Sequence, residues 1–145
     1  MSERTNYSTN SPFEPLRGYS RAVRVGEHLY ISGTTALTAT GEVSAPGDAY
    51  EQTKYVLGLV RKILRQAGFE LGDVVRTRLF VTNLARWDEY AKAHREFFES
   101  TRPASAIVQV SRLVDPRLVL ELEVDAVKGC SDAKVVQISY GEEGS

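Results

Sequence analysis

The stretch 102–127, RPASAIVQVSRLVDPRLVLELEVDAV, decides the fold of this 145-residue chain. It predicts two strands joined by a turn at Asp115 and Pro116, because both flanking segments alternate with the period of two that is typical of a strand. In the second segment one face is apolar, and the other carries the carboxylates of Glu121, Glu123 and Asp125. The apolar face needs a cover, and the acidic face needs water, cations or a partner chain.

Periodicity also predicts the elements that come before this stretch. Apolar positions at helical spacing predict two helices, one from the N-cap Asp48 to Gly68 and one over about 85–100. Short runs at 19–25 and 28–32 indicate a β-hairpin, and residues 74–81 form a further strand. We therefore predict a single α+β domain, a mainly antiparallel sheet with two helices on one face.

The two ends of the chain lack this regularity. Residues 1–16 are polar and predict a flexible N-terminal arm, ahead of a domain over 17–128. The tail 129–145 contains one β-prone run at 135–140, which either adds an edge strand or lies disordered.

Composition excludes several classes of function. The chain is 42% hydrophobic, has a formal net charge of −1 and contains one cysteine, Cys130. Lys and Arg form no clusters, so we predict no nucleic-acid partner, and no stretch suits a signal peptide or a bilayer. The two histidines, His28 and His94, sit in no metal-ligand motif, so we predict no metal and no cofactor, in a cytoplasmic protein.

The face of the sheet opposite the helices is charged. On the strand at 74–81, alternation places Val74, Arg76, Arg78 and Phe80 on this face, together with the acidic side chains of the last strand. Such a face meets either water or copies of itself. The opposite charges favour an interface between copies.

Short motifs run in order through residues 17–128. They are Gly18-Tyr19, Tyr30-Ile31-Ser32-Gly33, Gly72-Asp73-Val74-Val75, Phe80-Val81, Phe97-Phe98, Arg102-Pro103-Ala104 and Leu120-Glu121-Leu122-Glu123. As an ordered set they resemble the Rid family, also called YjgF/YER057c/UK114. The resemblance implies a chorismate-mutase-like fold, a homotrimer with sites in the clefts between subunits, and hydrolytic deamination of reactive imines and enamines.

The resemblance also implies roles for individual residues. Glu121 would be the catalytic residue that positions the attacking water. Tyr19, the strand end at Ser32, Gly33 and Thr34, and the backbone at Ala104 would bind the substrate.

One residue departs from the family pattern. The arginine that follows Pro-Ala and holds a substrate carboxylate is Ser105 here, so the chain resembles an arginine-less branch of the family. Loss of that bidentate pair is expected to cost roughly 10²-fold in affinity for a 2-imino acid. Either Arg78 supplies the missing charge from a neighbouring strand, or it pairs with the acidic side chains across the trimer.

Three further residues are predicted to have structural rather than catalytic roles. His94 and Trp87 lie on the apolar stripe of the second helix; His94 is predicted to be a core or boundary residue and Trp87 a core residue. Cys130 follows the last strand and is predicted to be an unreactive thiol.

Two functions stay open. One is a deaminase-like hydrolase, and the other is a non-catalytic trimer that binds a small metabolite or acts as a regulatory subunit. Ribonuclease activity has no support from the charge.

Overall fold

The computed structural model describes residues 3–141, which form one sheet covered by helices. The sheet strands are β1 (Arg4–Tyr7), β2 (Ala22–Val25), β3 (His28–Thr35), β4 (Val74–Val81), β5 (Ala104–Gln109) and β6 (Leu120–Val127), and the α-helices are α1 (Phe13–Arg17), α2 (Ala49–Gln66) and α3 (Trp87–Phe98). The strand order is β1-β2-β3-β6-β4-β5. Neighbouring strands are antiparallel except β4 and β5, which are parallel. The predicted α+β fold is confirmed.

Strand β6 forms the centre of the sheet, between β3 and β4. Its apolar face is buried: Leu120, Leu122 and Val124 are 0% exposed. Burying each large side chain of this kind stabilises the fold by about 1.5–3 kcal/mol. The acidic residues of β6 are half-buried on the opposite face, so the alternation seen in the sequence separates core from open surface.

The ends of helix α2 agree with the sequence. The Asp48 side chain accepts a hydrogen bond from the Glu51 backbone N–H at 2.9 Å, which caps the N-terminus. Gly68, with a φ of +85°, ends the helix in the left-handed conformation that glycine tolerates best. The cap and the glycine fix the length of the helix.

Strands β5 and β6 do not form a hairpin with each other, contrary to the prediction that a simple turn joins two central strands. Strand β4 lies between them, and β5 is an edge strand of the sheet. The reason is the connection through α3, since two parallel strands such as β4 and β5 require a crossover that usually contains a helix.

The first residues of β4 also differ from the prediction. The pairing with β6 shifts between Val74 and Arg76, which marks a β-bulge or similar irregularity. Val74 is therefore buried at 3% exposure, whereas Val75 is 38% exposed. The prediction that Val74 shares the open face with Arg76 is wrong.

The N-terminal residues are more ordered than the predicted flexible arm. Strand β1 pairs with β2, and α1 follows. The buried Glu14 accepts hydrogen bonds from the backbone N–H and the hydroxyl of Thr9, at 3.2 and 3.0 Å. Local hydrogen bonds of this kind do not depend on periodicity, so no periodic pattern in the sequence predicts them.

The tail contains no strand within the described residues 129–141. The edge-strand alternative for residues 135–140 is therefore not observed in this chain. The rest of the predicted tail, residues 142–145, lies outside the described residues.

Candidate functional site

Glu121 lies on the open face of the sheet, opposite Thr35 of β3 and Phe80 of β4. Its carboxylate packs on the backbone of Gly33. A Cβ at position 33 would lie 2.9 Å from Glu121 Cδ and closer still to Oε2. Only glycine leaves room for the carboxylate in this position, which explains why a glycine stands at this point of β3.

Two arginines lie near enough to this carboxylate for their charges to act on it, and a tyrosine lies beside the arginines. The Arg21 guanidinium donates to the Gly33 carbonyl at 2.5 Å. The Tyr19 ring lies near both cations, with its centroid 4.1 Å from Arg17 Cζ and 5.7 Å from Arg21 Cζ. We call Glu121, Gly33, Tyr19, Arg17 and Arg21 the glutamate cluster.

The environment of Glu121 changes its acidity. Burial raises the pKa of the carboxyl above its ordinary value, the Arg21 and Arg17 cations oppose this, and Glu123 reinforces it. A carboxylate with a raised pKa accepts a proton more readily. A cleft of about 690 Å³ opens beside it, bordered by the loop at 112–116, so the carboxylate faces space that a ligand can enter.

Two other predicted binding residues use their hydroxyls internally. Ser32 Oγ donates to the Ser20 carbonyl at 2.6 Å, and Thr34 Oγ1 donates to the Ser32 carbonyl at 2.8 Å. These bonds hold the strand end in shape beside Gly33. The side chains thus support the backbone of the site.

Ser105 belongs to a second group of residues, on the helix-covered face. Thr77 Oγ1 donates to Ser105 Oγ at 2.7 Å and lies 2.8 Å from His94 Nε2. Because Thr77 has one hydroxyl hydrogen and gives it to Ser105, His94 donates to Thr77 from Nε2. The Ser105 hydroxyl hydrogen is then free for a ligand. We call Ser105, Thr77 and His94 the serine cluster.

His94 is half-buried, with its ring centroid 4.8 Å from that of Phe98. Burial lowers the pKa of the imidazole below its ordinary value, so the ring is neutral at pH 7. A neutral ring carries one N–H, which agrees with the donor assigned above. Its role is to orient Thr77.

A groove of about 340 Å³ runs between α3 and β5, and Ser105 lies in its wall. We call it the α3–β5 groove. Phe98, Ile107 and Trp87 make it largely apolar. Trp87 is 51% exposed, so the prediction of a core tryptophan is wrong: the residue begins α3 and lies over the groove.

The two clusters do not meet within one chain. Thr77 and Ser105 are register partners on the helix-covered face, whereas Glu121 is on the open face beside Phe80. The predicted binding residue Ala104 begins β5 next to Ser105. Tyr19, Ser32, Gly33 and Thr34 belong with Glu121, so the predicted site residues form two groups.

Arg78 lies on the open face and contacts acidic residues outside both clusters. Its Nη1 is 3.4 Å from Glu123 Oε1 and 3.4 Å from Asp125 Oδ2. The Arg78 side chain is 40% exposed, so these pairs contribute at most about 1 kcal/mol each. Arg78 therefore already has acidic neighbours inside its own chain.

Sequence reasoning missed Arg17, Arg21 and Thr77. The arginines flank Tyr19 in the segment RGYSRAVR, and the high density of arginines there could have pointed to a functional site. Thr77 is a polar residue on the otherwise apolar face of β4. Such a residue needs a hydrogen-bond partner, which was a second signal.

Within residues 3–141, no three His, Cys, Asp or Glu side chains group in a way that suits a metal ion. In the same residues, no helix combines the length and apolarity needed to span a bilayer.

Comparisons with known proteins agree on one family. The family model described as Endoribonuclease L-PSP matches residues 9–128. A 3-aminoacrylate deaminase, RutC, of Acinetobacter baylyi is 34% identical over 108 residues, which cover 74% of this chain and 85% of that protein.

Two solved structures are similar over most of the chain. A member of the YjgF/YER057c/UK114 family from Mycobacterium tuberculosis has a TM-score of 0.78 and 40% identity, covering 86% of this chain and 99% of that one. Escherichia coli TdcF with bound serine has a TM-score of 0.71 and 27% identity, covering 86% and 94%.

Proposed function

The chain belongs to the Endoribonuclease L-PSP family, also known as YjgF or Rid, and from that membership we propose that it is a homotrimer that hydrolyses a small imine or enamine at clefts between subunits. The 34% identity to a 3-aminoacrylate deaminase supports a deaminase-like role. The observation that carries the proposal is the Glu121 carboxylate, half-buried over Gly33 beside an open cleft.

In the proposed reaction Glu121 acts as general base and then as general acid. It takes a proton from water while the water oxygen bonds to the C=N carbon, and it delivers that proton to the nitrogen, which gives a neutral carbinolamine. Glu121 then takes the hydroxyl proton of the carbinolamine as the carbonyl forms and passes it to the departing nitrogen, so the C–N bond breaks and a carbonyl and ammonia remain. The raised pKa of Glu121 suits both steps.

Assembly of several copies explains why the two clusters are separate. We place the glutamate cluster of one subunit against the α3–β5 groove of the next, so that Glu121 and Ser105 face one substrate. Tyr19 and the backbone at Gly33 and Ala104 complete the walls. The charged open face of the sheet supports an interface between copies.

Ser105 sets the class of substrate. A hydroxyl has no charge, so it holds a neutral acceptor better than it holds a carboxylate. The Ser105 hydrogen that Thr77 leaves free is positioned to donate to such an acceptor. The proposed substrate is therefore an imine or enamine with a neutral polar group and an apolar body that fits the groove.

An ammonia-release assay tests this function. The assay uses 2-iminopropionate and a neutral imine, both generated in situ, with the unchanged protein, Glu121→Gln and Ser105→Arg. We expect Glu121→Gln to lower kcat by roughly 10²–10⁴-fold. Ser105→Arg should shift the preference from the neutral imine towards 2-iminopropionate.

The matched control is Glu27→Gln, which makes the same change at an exposed carboxylate in the β2–β3 turn. It should leave turnover unchanged. Equal activity of the unchanged protein and Glu121→Gln on every substrate that turns over would refute the proposed role of Glu121.

A second function is favoured by the absence of the arginine at position 105. Without that charge the trimer would capture a small metabolite and release it unchanged, as a sensor or regulatory subunit. The structural relative TdcF, solved with bound serine, supports capture of a small polar molecule. Saturable binding of a metabolite without ammonia release would favour this function over the first.

A further inference from the structure

Gln52 is a fully buried polar residue of α2 to which the proposed reaction gives no role. Its side chain is 0% exposed. Nε2 donates to the Ala45 carbonyl at 3.1 Å and to the Arg117 carbonyl at 2.9 Å. Oε1 accepts from the Val119 backbone N–H at 2.9 Å. Both amide hydrogens and the oxygen therefore bind backbone groups.

The core alone does not explain a glutamine at this position. Val56 and Leu57, on the buried side of the same helix, are apolar and also 0% exposed. An apolar side chain needs no hydrogen-bond partner, whereas a buried amide lowers stability unless its polar groups are paired. The partners of Gln52 lie in loops outside α2, so its bonds fix the position of those loops.

The backbone that Gln52 holds follows the loop that borders the Glu121 cleft, residues 112–116. At the start of this loop, Leu113 packs on the core. After the loop, the chain passes through Val119 into β6, which carries Glu121. One end of the cleft wall is thus held by apolar packing, and the other end is held by hydrogen bonds to Gln52.

The Glu121 carboxylate itself is held by other contacts. Glu121 pairs with Thr35 and Phe80 in the sheet and packs on Gly33. Loss of the bonds to Gln52 should therefore move the wall of the cleft and leave the carboxylate in place. Gln52 then affects how the substrate is bound rather than how a proton is transferred.

We propose that Gln52 is a positioning residue, which holds the loop at 112–116 against the substrate in the Glu121 cleft. The inference rests on the proposed function, because the substrate it concerns is the proposed imine or enamine. In that proposal the α3–β5 groove of the next subunit lies opposite Glu121. The position of the loop then sets the width of the cleft between the two subunits.

Steady-state ammonia release by Gln52→Met and Gln52→Glu tests this role. Gln52→Met keeps the size of the side chain and removes all three bonds, so we expect KM to rise roughly ten-fold while kcat changes by less than about two-fold. Gln52→Glu keeps an acceptor for the Val119 N–H and, because burial favours the protonated carboxyl, one donor. Its KM should lie between those of Gln52→Met and the unchanged protein.

The matched control is Thr53→Val, at the next residue of α2. The Thr53 side chain is also 0% exposed, and its hydroxyl donates to the Ala49 carbonyl at 2.7 Å, inside the helix. The substitution removes a buried hydrogen bond that does not reach the loop, so KM should not change. An equal rise of KM in Thr53→Val, or an unchanged KM in Gln52→Met, would overturn the inference.

Two further readouts distinguish positioning from a general loss of stability. The acid limb of kcat/KM should stay in place in Gln52→Met, because the neighbours that set the acidity of Glu121 are unchanged; a moved limb would place the effect on Glu121 instead. If Gln52→Met does not fold, the comparison of Gln52→Glu with Thr53→Val decides in the same way.

Hydrogen exchange measured by NMR separates this inference from the proposed function, because it needs no turnover. The Val119 amide should exchange about ten-fold faster or more in Gln52→Met, since its acceptor is gone. Unchanged exchange would overturn the role of Gln52 whatever the activity. Faster exchange in a protein that releases no ammonia from any imine would overturn the proposed function and the role in substrate binding, while supporting the hold on the loop.

Discussion

The position and the acidity of the Glu121 carboxyl are set by its neighbours in space. Gly33 gives the carboxylate room to pack on backbone, and Arg21 is anchored on the same Gly33 carbonyl. Burial raises the pKa of the Glu121 carboxyl while the cations oppose the rise. We therefore expect small changes at these neighbours to alter the proposed catalysis without altering the fold.

The pH dependence of turnover should show the opposing effects of burial and of the arginines on the pKa of Glu121. The proposed base must be ionised, so activity falls as pH falls through the raised pKa of Glu121, above the ordinary value of 4.5. Removing the Arg21 cation by Arg21→Gln disfavours the carboxylate, so the acid limb of kcat/KM should move to higher pH. Arg24→Gln, at an arginine over Phe69, is the control and should leave the limb in place. A shift to lower pH in Arg21→Gln would contradict the assignment.

Gly33→Ala should reduce turnover more than stability. The added methyl group must displace the Glu121 carboxylate, which is the far end of a flexible side chain. A misplacement of about 1 Å at a catalytic group lowers kcat by roughly 10²-fold. Steady-state kinetics and thermal unfolding, measured side by side, check this expectation, and unchanged kcat would argue against a role for the carboxylate.

Among single residues, the members of the glutamate cluster could be predicted from the sequence better than those of the serine cluster. Resemblance pointed to Glu121, Gly33 and Tyr19, which the fold brings together. The partners of Ser105 could not be predicted, because Thr77 and His94 reach it only after β4, α3 and β5 have packed. Hydrogen bonds between distant parts of the chain leave no local pattern.

Strand β6 is the element on which the rest of the structure depends. Its apolar side chains meet the helices, and both of its edges are paired. Leu122→Ala should lower the free energy of unfolding by about 2–5 kcal/mol, as measured by denaturant titration. The control Val114→Ala, at a side chain that is 81% exposed, should change it by less than about 0.5 kcal/mol. Equal effects of the two substitutions would contradict the central place of β6.

Element boundaries were largely predictable, whereas the pairing of strands was not. Strand β4 and the cap of α2 follow from alternation and from Asp48. The edge position of β5 depends on the crossover through α3, and the burial of Val74 depends on the pairing shift beside it. Both are properties of a pair of elements, so neither appears in the periodicity of one segment.

The charged face of the sheet belongs to the whole molecule. Arg78 lies between Glu123 and Asp125 on this face, where it can serve either the proposed assembly or the binding of an anionic group. Arg78→Met should weaken the proposed trimer if the arginine also pairs across subunits. Sedimentation velocity with ligand titration checks this: a stable trimer that no longer binds ligand would assign Arg78 to the site instead.

The overall fold could be predicted because the spacing of apolar residues and the ordered set of family motifs indicated the same α+β fold. The ends of the chain could not. Strand β1 depends on pairing with β2, α1 depends on local hydrogen bonds, and the apolar run of the tail has no partner within the described residues. A single sequence holds no record of which copy covers which surface. The proposed site lies between two copies of the chain, so it has to be tested on the assembled protein.

Complementation between two inactive variants tests the shared site most directly. Glu121→Gln removes the proposed base, and Ser105→Tyr blocks the α3–β5 groove. Each variant alone should lack ammonia release. After exchange of subunits at equal amounts, about one quarter of the clefts in a closed trimer combine an intact Glu121 with an intact groove.

We predict that activity returns to about one quarter of that of the unchanged protein. Both variants must first be shown to form trimers, and an exchange of Glu121→Gln with itself is the negative control. A mixture that stays inactive although the subunits have exchanged would show that Glu121 and Ser105 do not meet across two chains, and the proposed site would be wrong.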